Sequence, residues 1–235
     1  MIASISAKKT STYVLPKCSI IIPCYFANEG LIEMTARCLE SLFNTTGDEP
    51  QEVIVIDDGS PIPFGFVDDT NFVQRLETIH RENNGGYSAA ANTGLYHATG
   101  DVLIVGNNDL VFTENWLEGL LWPLQEGFDI STVWTSDQKD IRLEKDIEPF
   151  AKFGSLFAMK REVYETLGGF DQQFRGYFTD VDYRKRAIEH GFTIGKNLAC
   201  VVDHLAKATY KQTDPNDEEF IRAGRIYEAK WGVVD

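Results

Sequence analysis

The 235-residue sequence lacks the features that define several large classes of protein. No apolar run approaches the roughly 18 residues that span a bilayer, and the polar beginning of the sequence contains no hydrophobic segment typical of a signal peptide. The four cysteines show no CxxC spacing, so neither a zinc-ligand set nor a disulfide framework is expected. We therefore expect a soluble cytoplasmic protein with ordinary buried thiols, while peripheral association with a membrane stays open.

Positive charge is also scarce. Lys and Arg number 22 against 36 Asp and Glu, which gives a formal net charge of −14. A surface of this sign repels phosphate backbones, so nucleic acid is not an expected partner. The GxxxxGK[ST] loop and the GxGxxG turn are both absent, which disfavours P-loop enzymes and dehydrogenases.

The sequence does contain enough apolar residues, 43%, for a sizeable core. Short apolar runs at residues 18–24, 53–56 and 102–105 alternate with helical patterns. This β-α-β order predicts an α/β fold with a Rossmann-like, mostly parallel central sheet flanked by helices. The alternation is regular over about residues 18–110 and lost over 111–235, so we expect one domain with an irregular C-terminal half.

Three segments of less regular pattern are harder to interpret. Residues 66–77 look helical or irregular before a short strand at 78–80. Residues 135–149 are richly charged and aperiodic, which is typical of a mobile loop. Residues 201–204 form a short predicted strand, and the acids at 217–219 are expected to belong to a solvated surface.

Polar clusters follow three predicted strands, at residues 24–25, 57–58 and 107–109. Ligands bind at the carboxyl ends of parallel strands, so these clusters indicate a site. Strand ends also need turn residues, and for the second cluster a turn alone is an equally good interpretation. Asp109 is more informative, because a carboxylate so close to a buried strand needs a partner or a metal such as Mg²⁺ or Mn²⁺.

Five motifs occur in order along the chain, at residues 19–25 (SIIIPCY), 53–60 (VIVIDDGS), 84–95 (NxG followed by AxNxGL), 107–109 (NND) and 169–186 (GFD followed by DxDYxxR). Together they resemble the family-two inverting glycosyltransferases of the GT-A fold. The resemblance implies transfer of a sugar from a nucleotide-diphosphate sugar to a hydroxyl acceptor on a glycan or glycoconjugate. The first half would bind the nucleotide and the second the acceptor.

The resemblance also implies a role for each matching position. Asp58 would accept a hydrogen bond from the base of a UDP- or dTDP-sugar. Asp109 would bind the Mn²⁺ or Mg²⁺ that bridges the diphosphate, with His204 as a second candidate ligand. Asn107 replaces the first acid of the family's metal motif, a variant similar to rhamnosyltransferase-like members. The implied nucleotide-binding positions besides Asp58 are Pro23, Tyr25, Asn84, Gly86, Ala90, Asn92, Asn107 and Asn108.

Asp180 is the expected catalytic base, because inverting transfer needs a carboxylate that accepts the proton of the acceptor hydroxyl. The alternative is that Asp180 only favours the positive end of a helix, with Thr179 and Asp182 forming a capping box. Arg186 is expected to pair with Asp182. The aromatic segment 174–178 is the expected acceptor contact.

Two departures from the family pattern keep a second function open. The acid that precedes the base in the family is Thr179 here, and the metal motif has lost one acid at Asn107. The chain could therefore be a catalytically inactive relative that binds nucleotide sugars. A sugar-phosphate nucleotidyltransferase is disfavoured, because the Gly-rich, Arg-containing signature of that class is missing.

Overall fold

The computed structural model describes residues 15–46, 51–62, 75–138, 141, 143–205 and 216–232. The strands are β1 (Cys18–Cys24), β2 (Glu52–Asp57), β3 (Arg75–His80), β4 (Val102–Gly106), β5 (Leu110–Val111), β6 (Ile130–Thr135), β7 (Ile147–Pro149), β8 (Leu156–Lys160) and β9 (Ile194–His204). The helices are α1 (Glu29–Thr45), α2 (Tyr87–His97), α3 (Trp116–Gln125), α4 (Arg161–Leu167), α5 (Thr179–Glu189) and α6 (Glu218–Trp231). In the part of the chain described, no helix is both long and apolar enough to cross a membrane.

The strands form a nine-stranded sheet in the order β3-β2-β1-β4-β8-β6-β9-β5, and β7 pairs with β9 beside this path. Strands β1 to β4 are mutually parallel. Strand β8 runs antiparallel to both β4 and β6, whereas β9 is parallel to β6 and antiparallel to β5 and β7. The predicted α/β class with a central sheet is confirmed, and the change from parallel to mixed pairing coincides with the loss of regular alternation in the sequence.

The central strands are buried on both faces, which explains their unbroken apolar runs. One face of the sheet packs against α1 and α3, and the other packs against α2, α4 and α5. Helix α1 begins where the sequence predicted, because the side chain of Asn28 accepts a hydrogen bond from the backbone N–H of Leu31. With both faces covered, the carboxyl ends of the parallel strands are left to form a site.

Strand β3 corrects the prediction for residues 66–77, since it already begins at Arg75. Residues 63–74 lie outside the described part of the chain. Among the described residues, strand β3 pairs with β2 alone, and it is half-buried or exposed from Leu76 onward. An edge strand of this kind carries polar residues, so its sequence shows no apolar run.

Strands β7 and β9 correct two further predictions. Residues 147–149 belong to a strand and not to the predicted mobile loop, since they pair with β9. Strand β9 has eleven residues, although only its last four were predicted. Its register on β6 shifts between Val133 and Trp134, whose partners are Asn197 and Val201. The bulge that skips residues 198–200 breaks the alternation by which a strand is recognised in a sequence.

The start of helix α5 also differs from the expectation. The residue before the helix is Phe178, in the left-handed region with φ of 63°, and no side chain among the described residues caps the helix. The predicted capping box of Thr179 and Asp182 is therefore wrong. Asp182 is instead fully buried and pairs with Arg186 at 3.0 Å, which confirms that expected ion pair.

Candidate active site

A cavity of about 1260 Å³ lies at the carboxyl ends of β1, β2 and β4. Its far wall comes from the second half of the chain, through the segments around residues 154–155 and 175–180 and through α6. The predicted site residues that line this cavity are Pro23, Tyr25, Asp58, Asn84, Gly86, Ala90, Asn107, Asn108, Asp109, Asp180 and His204. The structure thus brings both halves of the predicted site into one cavity.

Asp58 holds the loop that follows β3. Its carboxylate accepts hydrogen bonds from the backbone N–H groups of Gly85 (3.1 Å) and Gly86 (2.7 Å) and from the guanidinium of Arg81. Burial raises the pKa of Asp58, even though these three donors favour the charged form. A carboxylate has about four acceptor positions, so one stays available to a ligand in the cavity.

Gly86 allows this loop to form. Its φ is +85°, and a Cβ at this position would lie 2.6 Å from the carbonyl oxygen of Arg175. Both facts exclude a side chain here without a shift of the backbone. Arg175 in turn donates hydrogen bonds to the backbone and side-chain oxygens of Asn84, at 3.1 and 3.0 Å. The loop is therefore shaped by contacts within the chain, with its backbone facing the cavity.

Asn92 does not line the cavity, although it was a predicted nucleotide-binding residue. Its side-chain oxygen accepts from the backbone N–H of Phe170 at 2.7 Å, and its amide group donates to the carbonyl of the same residue at 2.9 Å. Both ends of the amide are engaged, so Asn92 joins α2 to the turn between α4 and α5. Asn108 also has a partner within the chain, since it donates to the hydroxyl of Thr35 at 2.9 Å.

Asp109 and His204 come together through the pairing of β5 with β9, in which Leu110 lies opposite His204. The carboxylate Oδ1 of Asp109 lies 3.0 Å from Nε2 of His204, and the two side chains are only 6% and 10% exposed. On its other side His204 meets Asp137, with 2.9 Å between Nδ1 and Oδ1. Burial alone would lower the pKa of His204, but the two carboxylates outweigh it and raise that pKa.

The pair fits a hard divalent cation. Two ligands at neighbouring corners of an octahedron, each about 2.1 Å from a metal, lie about 3.0 Å apart, which is the separation between Asp109 and His204. Carboxylate oxygen and imidazole nitrogen are both ligands of Mn²⁺. Among the described residues, no group of three or more His, Cys, Asp or Glu could hold a metal ion.

Asp180 lies at the first turn of α5 and faces the same cavity. Burial raises its pKa to about 6, against hydrogen bonds from the backbone N–H groups of Val181 and of Asp180 itself. Among the described residues no Lys, Arg or His pairs with it. An unpaired carboxyl group with a raised pKa in a cavity is typical of a proton acceptor in catalysis.

Only part of the aromatic segment 174–178, which was expected to contact the acceptor, lines the cavity. Phe174 is fully buried and packs against Tyr227 of α6, so it cannot face an acceptor. Tyr177 does line the cavity. Helix α6 contributes Glu219 and Arg222 to the same wall, although residues 217–219 were expected to be a solvated surface. Only the spacing of apolar residues in α6 could have indicated that this helix packs on the site.

Sequence reasoning also missed two residues that the structure places in contact with the predicted ones. Arg81 contacts Asp58, and Asp137 contacts His204. Both contacts join residues that are far apart in the chain, and Asp137 also lies in a segment without periodicity. No local pattern in the sequence indicates them.

The parallel first half and the mixed second half of the sheet together form the GT-A fold, which known glycosyltransferases share. Solved structures that share this fold include TarS 1–349 of S. aureus in complex with UDP-GlcNAc, with a TM-score of 0.68 and 16% identity over 91% of this chain and 66% of that chain. Another is the mannosyltransferase PcManGT of Pyrobaculum calidifontis in complex with GDP-Man and Mn²⁺, with a TM-score of 0.63 and 20% identity over 92% of this chain and 64% of that one.

The family is shown by the sequence itself. The model of "Glycosyl transferase family 2" matches residues 19–184, and the chain belongs to this family. The glycosyltransferase GlyG of Streptococcus pneumoniae is 32% identical over 110 residues, which are 46% of this chain and 35% of GlyG. The chain spans about a third of the length of GlyG and of a second curated relative, polypeptide N-acetylgalactosaminyltransferase 11 of Xenopus tropicalis.

Proposed function

We propose that this chain transfers a sugar from a UDP- or dTDP-sugar to a hydroxyl group of a glycan or glycoconjugate, with inversion and with the help of Mn²⁺ or Mg²⁺. The observation that carries the proposal is that one cavity contains Asp58, the Asp109–His204 pair and Asp180. Asp58 supplies a hydrogen-bond acceptor for the nucleobase of the donor. The Asp109–His204 pair supplies ligands for a cation, and Asp180 supplies a carboxylate that can take up a proton.

The base of the donor would lie between Pro23, Tyr25 and Asp58. A carboxylate suits the imide N–H that uracil and thymine both present, and Asp58 has an acceptor position left after its three internal hydrogen bonds. TarS, which shares the fold, was solved with UDP-GlcNAc, whereas PcManGT was solved with GDP-Man. The donor panel below therefore includes guanosine as well as uridine and thymidine donors.

Asp109 and His204 would hold the divalent cation. When bound there, Mn²⁺ or Mg²⁺ stabilises the negative charge that develops on the departing diphosphate. The chain needs such a cation because its own charge is −14 and repels a diphosphate. The two ligands supply only part of a metal shell, so we expect the cation to bind more tightly when the donor is present.

Asp180 would act as the general base. The acceptor oxygen attacks the anomeric carbon from the face opposite the diphosphate, and the bond from that carbon to the diphosphate oxygen breaks with its electron pair on the diphosphate. The proton of the acceptor hydroxyl passes to the carboxylate of Asp180. With a pKa of about 6, this carboxylate is mostly charged at neutral pH and yet more basic than an ordinary aspartate.

The test is a panel of nucleotide sugars incubated with the protein and Mn²⁺. We expect release of free nucleotide from UDP- or dTDP-linked donors, including the rhamnose donors, and loss of that release in EDTA. Asp109→Asn should weaken donor binding in Mn²⁺ and leave the weak binding in EDTA unchanged. Nucleotide release from GDP-mannose alone would contradict the proposal that the nucleobase of the donor is uracil or thymine.

The inactive relative is the second candidate, and it is favoured by Asn107 and Thr179, where the family has acids. It predicts tight nucleotide binding with no release from any donor, with or without simple glycosides as acceptors. Product release that Asp180→Asn abolishes would exclude it.

A further inference from the structure

His204 lies between two carboxylates, and the proposed function uses only one of them. Its Nε2 faces Asp109 at 3.0 Å, and its Nδ1 faces Asp137 at 2.9 Å. The side chain of His204 is 10% exposed and that of Asp137 is 35% exposed. Asp137 belongs to residues 135–149, which the sequence predicted to be a mobile loop. Its contact with His204 needs a structural reason.

The backbone around Asp137 is held against β9. The N–H of Ser136 donates to the carbonyl of Val202 at 3.1 Å, and the N–H of His204 donates to the hydroxyl of Ser136 at 3.0 Å. A turn follows, in which the N–H of Gln138 donates to the carbonyl of Thr135 at 3.0 Å. These three hydrogen bonds place Asp137 beside the imidazole, and its carboxylate also accepts hydrogen bonds from the side chain of Thr135 and from its own backbone N–H.

A carboxylate can only accept hydrogen bonds when it is charged, so its neighbour on the ring must carry a proton. Asp137 therefore favours the form of His204 that is protonated at Nδ1. The same argument puts a proton on Nε2 while that atom faces Asp109 at 3.0 Å, and a cation bound to Asp109 would take the place of this proton. The ring would then keep its Nδ1 proton, and the lone pair of Nε2 would be directed at the cation. The hydroxyl of Ser155 lies 3.4 Å from the same Nδ1 and could donate to it, which would favour the opposite form.

We propose that Asp137 is a positioning residue that orients His204 and selects its Nε2 as the metal ligand. This inference rests on the proposed function, because it assumes a divalent cation at Asp109 and His204. Carboxylates that accept a hydrogen bond from a metal-binding histidine hold the ring in place and make its other nitrogen a better ligand. Removal of such a partner typically weakens metal affinity about 10- to 100-fold.

The experiment compares Mn²⁺ affinity in the wild type, Asp137→Ala and Asp203→Ala, measured from the EPR signal of free Mn²⁺ in the presence of UDP. Asp203 is the matched control, because it removes the same charge one residue before His204 from an exposed position on β9. We expect Asp137→Ala to weaken Mn²⁺ binding about 10- to 100-fold. Asp203→Ala should stay within about twofold of the wild type, because its charge is screened by solvent.

A second measurement reports on the ring itself. With saturating Mg²⁺, the ¹⁵N chemical shifts of His204 should show a protonated Nδ1 in the wild type and a mixture of both forms in Asp137→Ala. A residue with only a structural role would not change this signal. If Asp137→Ala does not fold, Asp137→Asn replaces it: the amide oxygen can still accept from Nδ1 but carries no charge, and at least threefold weaker binding is expected.

The outcomes separate this inference from the proposed function. If His204→Ala abolishes Mn²⁺ binding while Asp137→Ala matches Asp203→Ala, the positioning role is wrong and the proposed metal site stands. If neither the wild type nor any variant binds Mn²⁺ with UDP present, the metal clause of the proposed function fails and the positioning role fails with it. Weak binding by Asp137→Ala with an unchanged ring signal would also overturn the inference, because the effect would then not act through His204.

Discussion

Asp58 and Asp180 line the same cavity from the two halves of the chain, and their surroundings differ. Asp58 accepts hydrogen bonds from Arg81 and from two backbone amides, and these hold the loop at residues 84–86. In the part of the chain that the structure describes, Asp180 accepts hydrogen bonds from backbone amides at the start of its own helix and from no side chain. Burial raises the pKa of both carboxyl groups. The comparison indicates that the first carboxylate shapes the site and that the second is available to react.

The two halves also hold their site residues by different means. In the first half, the strand ends and loop amides hold the site residues. In the second half, α6 is tied to α5 through side chains: Lys230 bridges Asp171 and Asp182 at 2.7 Å each, and Trp231 donates to Asp182 at 2.9 Å. Because Asp182 lies two residues after Asp180, these contacts fix the turn that carries the proposed base.

The largest expected effect is on catalysis, at Asp180. Asp180→Asn removes the proton acceptor and keeps the shape of the side chain, so transfer should fall by roughly 10²–10⁴-fold while UDP affinity stays the same. Product formation and calorimetric binding of UDP measure the two. Glu189→Gln is the control, because it removes an exposed acid from the last position of the same helix. Equal losses of transfer activity in both variants would mean that Asp180 contributes only to the total charge of α5 and does not accept the proton.

The next effect is on stability, at Asp58. Asp58→Asn places an N–H group against donors that need an acceptor and leaves the guanidinium of Arg81 without its partner. Breaking a buried ion pair costs about 3–5 kcal/mol, and since the side chain of Arg81 is 24% exposed we expect about 2–4 kcal/mol. Urea unfolding measures this loss. Glu82→Gln, in an exposed position of the same loop, should cost less than about 0.5 kcal/mol. If Asp58→Asn lowered the free energy of unfolding by no more than Glu82→Gln does, the loop would not depend on the carboxylate of Asp58.

The same comparison explains how much of the fold the sequence could predict. Strands β1, β2 and β4 were predicted because burial on both faces produces unbroken apolar runs. Strand β5 has two residues and β7 has three, too few for any period to appear. Strand β9 was recognised only past its bulge.

The candidate site divides in the same way. Asp58, Asp109 and Asp180 stand at the ends or starts of regular elements, so the motifs could place them. The contacts of Asp137, Asn92 and Arg222 join segments that meet only in the folded chain. A pattern read along one segment has no information about such partners. This is why Asn92 was assigned to the nucleotide and Asp137 to a mobile loop.

The smallest of the expected effects is a gain in stability from Asp180→Asn, opposite in sign to the loss at Asp58. Folding raises the pKa of Asp180 from the ordinary 3.8 to about 6, so the folded state holds the proton more tightly than the unfolded state. By linkage, this residue makes the wild type less stable as the pH rises from about 4 to about 6, with no further change above. Asparagine has no charge to bury, so the variant should lack this loss.

The size of the gain follows from the same shift. About two pKa units correspond to about 3 kcal/mol, and since the carboxyl group meets solvent through the cavity we expect about 1–2 kcal/mol at pH 7. Urea unfolding of the wild type and of Asp180→Asn at pH 4 and pH 7 measures it. The two proteins should be nearly equal at pH 4, with the variant more stable at pH 7. A difference that does not change with pH would mean that the charge of Asp180 is not disfavoured in the cavity, and Asp180 would then resemble Asp58 as a carboxylate that only shapes the site.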